Sequence, residues 1–136
     1  MNIYIAGKIT GLPKDEYQKA FAKAEALIVS MGHTPINPLN HVPQNISYDD
    51  QMHICYSLID ISQAVMMLEN WVDSPGATKE LIHAAKQEKK ILYYDEQKEI
   101  HDRLAIQNGI WITSTPPSRM SDMLAKAMHD INRISY

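Results

Sequence analysis

From position 69 to 80 the chain reads ENWVDSPGATKE, and this stretch holds the residues best placed to do chemistry. Ser74 suits a helix cap and Pro75 the first helical position. A capping box would put an acid three residues after the cap, where Ala77 stands, so capping does not account for Glu80. Glu80 falls near a helix start, where the macrodipole and free N–H groups favour a carboxylate. A carboxylate held there could attack an electrophilic carbon or accept a proton. The alternative is a surface glutamate with an i,i+4 contact, and local spacing leaves both readings open. Asp60 ends the preceding predicted helix, a place electrostatically unfavourable to an acid; a specific role and a solvated helix-end aspartate both fit. Tyr4 reads as a core tyrosine with a satisfied hydroxyl. Trp71 could stack on a base or cover the core.

Other chemistries find no pattern. Gly7-Lys8-Ile9-Thr10-Gly11 looks like a phosphate loop, but no glycine stands five positions before Gly7 and Ile9 takes the hydroxyl position. No G-x-G-x-x-G occurs. The 6 histidines show no H-x-x-x-H or H-E-x-x-H spacing, so no metal site and no cofactor is expected. A net charge of -3 speaks against binding a nucleic-acid backbone. Cys55 is the single cysteine, which fits a reducing cytoplasm. The opening MNIYIAG is too short in apolar residues for a secretory leader, and no run approaches a membrane span. A hydrophobic share of 45% and a charged share of 21% describe an ordinary globular chain. Its 136 residues make one domain, 1–136.

The elements that must position these residues alternate. Ile3–Ala6 reads as a buried strand ended by Gly7. Residues 15–31 carry an apolar helical face from Tyr17 to Met31, stopped by Gly32. A short strand at 33–37 leads into a loop from Pro38 to Tyr48. A second helix is predicted over 49–61 with Met52, Cys55, Tyr56 and Ile59 on one face, then a buried strand over 64–68. A third helix covers 77–88, and strands follow at 91–94 and 110–113. A last helix over 117–134 presents Met120, Met123 and Met128, which suits a core or subunit interface. This alternation predicts an α/β fold whose parallel sheet carries helices on both faces. Ligands then bind beyond the carboxyl ends of the strands.

In order along the chain stand IYIAG, Y..AF..A...L...G, NP after the second strand, D.S.A, W..S.GA..E...A and KILYY. This set resembles the nucleoside 2-deoxyribosyltransferase superfamily, in its small bacterial and phage branch, over residues 1 to 113. The resemblance implies a flavodoxin-like, doubly wound five-stranded parallel sheet assembled as a homo-oligomer. It implies that Glu80 attacks C1′ of a deoxyribosyl group, that Tyr4 orients Glu80, and that Asp60 binds the base or supplies its proton. Substrate contacts would come from Gly7, Lys8, Asn37, Trp71, Ser74, Gly76 and Ala77. The implied partner is a nucleoside or nucleotide. Transferases carry an acid six positions before the nucleophile, where this chain has Ser74; branches that hydrolyse nucleoside 5′-monophosphates carry serine there. Arg103 and Asn108 are the nearest candidates for a residue lent to a neighbouring subunit's site.

Overall fold

The computed structural model describes residues 1–94. Its strands are β1 (Asn2–Ala6), β2 (Thr34–Ile36), β3 (Ala64–Met67) and β4 (Lys90–Tyr93), and its helices are α1 (Lys14–Ser30), α2 (Tyr48–Asp60) and α3 (Pro75–Lys86). Short 3-10 turns occupy Pro38–Asn40 and Trp71–Asp73. All strand pairs are parallel, in the order β2-β1-β3-β4. That is the flavodoxin-like order, and the α/β class expected from the sequence holds. The strand expected at 110–113 and the helix expected at 117–134, with Arg103 and Asn108, lie outside the described residues. Among the described residues no helix is long and apolar enough to cross a membrane.

Strand side chains alternate between two cores. Ile3, Ile5, Ala64 and Met66 meet Tyr17, Phe21, Ala24 and Ile28 of α1. Tyr4, Ala6, Val65 and Met67 meet Ile59 of α2 and Ala77, Leu81 and Ala84 of α3. Because helices cover both faces, strands must be apolar on successive residues rather than on alternate ones. The continuous run at Ala64–Met67 is the result.

Helix ends follow from single residues. Ser47, which the sequence reading passed over, caps α2 by accepting the Asp50 N–H at 3.1 Å. Gly32 closes α1 at φ 80, with its N–H on the Val29 carbonyl and the His33 N–H on the Ile28 carbonyl. α3 ends in the same paired pattern, but Glu88 occupies the left-handed position at φ 56. An L side chain is disfavoured there. Glu88→Gly is therefore expected to raise stability by about 0.5–1 kcal/mol, read as a higher urea midpoint with unchanged m-value.

Candidate active site

β1 connects outward to β2 on one side, while β3 pairs on its other side, so the loops leaving β1 and β3 diverge across the sheet's carboxyl edge. The two loops are tied together: the Lys8 N–H donates to Asn70 Oδ1 at 3.1 Å. Beside them opens a crevice of about 660 Å³. The loop after β1, the start of α2 and the start of α3 line it. Tyr4 and Glu80 also line it, one from each core-facing element.

The start of α3 is built by its cap. Ser74 Oγ accepts the Ala77 N–H at 3.1 Å, and Pro75 takes the first helical position. One and a half turns on, Glu80 points inward and is only 6% exposed. The Tyr4 hydroxyl, fully buried, donates to Glu80 Oε2. Burial pushes the Glu80 carboxyl up to about 8, while the Tyr4 hydrogen bond pulls the other way. Burial, and then the negative charge of Glu80, hold the Tyr4 phenol well above its ordinary range, so Tyr4 remains a donor. Cys55, on the facing side of α2, is pushed up to about 11 by burial and by Glu80, and stays a neutral thiol. Glu80 is thus a buried acid with one dedicated donor, and it releases its proton only as the pH approaches 8.

Five further residues expected at a site line this crevice: Gly7, Lys8, Ser74, Gly76 and Ala77. At Gly7 a Cβ would come within 2.6 Å of Leu68 Cδ1, so the loop after β1 needs glycine to pass over β3's end. Ser74→Ala is expected to cost about 1 kcal/mol of stability through the lost cap, measurable by denaturant titration.

Asp60 is not brought to the crevice. α2 runs antiparallel to the strands, so its first turn faces the crevice and its last turn lies at the opposite edge of the sheet. There the Asp60 side chain is 49% exposed. His83 Nε2 and Gln87 Nε2 each lie 2.7 Å from Asp60 Oδ1. The hydrogen bond from His83, then that from Gln87, holds the carboxyl below its ordinary range. Trp71 is 0% exposed and packed in the core with Tyr4, Ala77 and Leu81; it does not line the crevice. Its indole N–H has no partner among the described residues. Asn37 acts one step back. It donates to Glu25 Oε2 at 2.9 Å and accepts the Leu39 N–H at 3.0 Å, fixing the turn whose Pro38 and Leu39 do line the crevice.

Sequence reasoning put Met52 and Cys55 on one apolar face of the second helix but missed Tyr48 and Gln51, which α2 turns toward the crevice with them as one stripe, and the second lining carboxylate, Asp73. The stripe's signal was its composition: three polar groups at core spacing. Among the described residues no group of three or more His, Cys, Asp or Glu is arranged to hold a metal ion.

A family model described as a domain of unknown function (DUF4406) matches residues 1–93. No curated protein matches the chain significantly. Among solved structures, the 2-deoxyribosyltransferase of Bacillus psychrosaccharolyticus is similar, with a TM-score of 0.60 at 15% identity, covering 83% of this chain and 99% of its own. The CMP N-glycosidase of Clostridium botulinum is also similar, with a TM-score of 0.52 at 15% identity, covering 94% of this chain and 99% of its own. At that identity the likeness establishes a shared fold, the one the sequence motifs implied.

Proposed function

Since the chain belongs to the DUF4406 family, a domain of unknown function, its own crevice has to supply the chemistry, and we propose that it cleaves or transfers N-glycosyl bonds of nucleosides or nucleotides. The observation that carries this reading is the buried Glu80 carboxyl, held by the Tyr4 hydroxyl in a crevice at the sheet's carboxyl edge. Two structures sharing the fold belong to a 2-deoxyribosyltransferase and a CMP N-glycosidase, which supports the bond class.

In the proposed reaction an oxygen of ionised Glu80 bonds to the anomeric carbon. The C1′–N electron pair leaves with the base, which gains a proton. Tyr4 keeps the attacking carboxylate aligned, and the charge of Glu80 stabilises the oxocarbenium-like centre that precedes capture. Water or a second base then displaces Glu80, completing hydrolysis or transfer. Asp73, the other carboxyl lining the crevice, is a candidate to carry the base's proton. Ser74 at the α3 cap, the N–H groups behind it, and Lys8 suit a 5′-phosphate. The scheme uses no cofactor. Deoxynucleosides and their 5′-monophosphates, followed for base release and base exchange from pH 6 to 9, test it. A complete lack of turnover across that panel sinks the enzyme reading.

One observation favours a second reading, a nucleotide-binding module that does not react. With its carboxyl titrating at about 8, Glu80 is mostly a neutral acid at pH 7, able to hydrogen-bond but poor at attack. That reading predicts saturable nucleotide binding without base release even at pH 9.

A further inference from the structure

The side chain of Asn70 joins the loop that leaves β3 to the loop that leaves β1. Asn70 stands immediately before the 3-10 turn Trp71–Asp73. An asparagine in that place ordinarily turns its side-chain oxygen back on the N–H groups of its own turn. This one makes no such cap. The turn closes through backbone instead, with the Asp73 N–H on the Asn70 carbonyl at 3.1 Å. Oδ1 reaches across the sheet's edge and accepts the Lys8 N–H. An N–H can only donate, so the oxygen of the amide must face Lys8.

The two ends of this tie differ in firmness. On one side Trp71 is fully buried in the core and anchors the segment that runs on into Ser74 and α3. On the other, Lys8 is half-buried in the loop after β1. Lys8 and Ser74 both line the crevice, whereas Asn70 does not. Asn70 therefore holds the Lys8 backbone relative to the start of α3 from behind the crevice wall. The lysine stem is flexible, so the reach of its ammonium depends on where its Cα is held.

We propose that Asn70 is a positioning residue for the phosphate end of the substrate: its side chain places Lys8 so that the ammonium and Ser74 can hold one 5′-phosphate together. That a 5′-phosphate binds there rests on the reading under Proposed function; its dependence on Asn70 is new. A charged contact loses strength when its donor must first be ordered by the ligand.

The test uses the four common deoxynucleosides and their 5′-monophosphates with the full chain, Asn70→Ala, Lys8→Ala and the double variant. Asn70 is half-buried in a loop outside both cores, so its variant is expected to fold, checked by its thermal transition. Asn70→Ala should raise KM for the monophosphates by about tenfold. KM for the nucleosides, and kcat for both, should stay within about threefold. Lys8→Ala should show the same split. Adding Asn70→Ala to Lys8→Ala should then change KM by less than about threefold, because the group it positions is gone. If nothing turns over, the same comparison is made on Kd by calorimetry, and the same pattern upholds the inference while the enzyme reading falls. A monophosphate loss in Lys8→Ala without one in Asn70→Ala overturns the inference and leaves the phosphate reading standing. Equal losses on nucleosides and monophosphates in Asn70→Ala, or a tenfold loss that recurs in the Lys8→Ala background, also overturn it. If Lys8→Ala has no effect on the monophosphates, or none of the compounds binds, the phosphate reading fails and takes the inference with it.

Discussion

Glu80→Gln should abolish base release, by about 10³-fold or more in kcat, and at the same time make the protein more stable at pH 8. The two effects share one cause. The carboxyl sits in a place that disfavours its charge, rising from 4.5 to about 8. The folded chain therefore holds this proton more tightly than the unfolded chain does. Between pH 4.5 and about 8 the unfolded chain has released it and the folded chain has not. Stability consequently falls as pH rises through that window and levels off above it. Glutamine keeps an oxygen for the Tyr4 hydroxyl and has no proton to lose. The stability gap between variant and parent should open from near nothing at pH 4.5 to a few kcal/mol at pH 8. Chemical denaturation at both pH values measures it. The parent's kcat/KM should climb with pH and flatten above about 8, as the nucleophile ionises. A flat profile from pH 6 to 9, or full activity in Glu80→Gln, removes Glu80 from the reaction.

The second large effect is at Trp71. Truncation to alanine empties the middle of the core between Tyr4, Ala77 and Leu81 and should cost about 3–5 kcal/mol, much of what holds a domain of this size. Phenylalanine behaves differently. It leaves a smaller gap and removes an indole N–H that finds no acceptor among the described residues. The relief of that desolvated donor offsets part of the lost packing, so Trp71→Phe should cost less than about 1.5 kcal/mol. Because Trp71 does not line the crevice, the phenylalanine variant should keep its KM within about twofold, since no ligand contact is removed. A tenfold rise in KM with the thermal transition intact would mean that the indole touches the ligand.

These residues also mark how far the sequence could be read. Among the described residues the strands and helices were legible to within two residues because their ends are set by local groups: Gly32 after α1, Ser74 and Pro75 before α3. Glu80 was legible only as an anomaly. Its burial depends on meeting Tyr4 across 76 positions of chain, which no local spacing encodes. The α2 stripe was ambiguous for another reason: a helix face turned to a crevice carries the same spacing as one turned to the core. Trp71, read as a ring that could stack on a base or cover the core, does the second and lies one layer deeper. The placement of Asp60 at the far edge follows from topology alone. In a parallel sheet with intervening helices, the last turn of a helix returns to the edge where strands begin.

That returning geometry has a practical result for engineering. At the edge away from the crevice, Asp60 fastens α2 to α3 through His83 and Gln87, Tyr56 stacks on His83 at 4.4 Å, and Lys89 Nζ donates to the Asp60 carbonyl at 3.1 Å. The two helices that carry Gln51 and Glu80 are thus clamped at their distal ends, while at the crevice end they meet through Lys79 over the Tyr48 ring. A mutational library confined to 44, 48, 51 and 79 would reshape the working end while the distal fastening keeps both helices in register. Selectivity could then drift without the scaffold drifting with it.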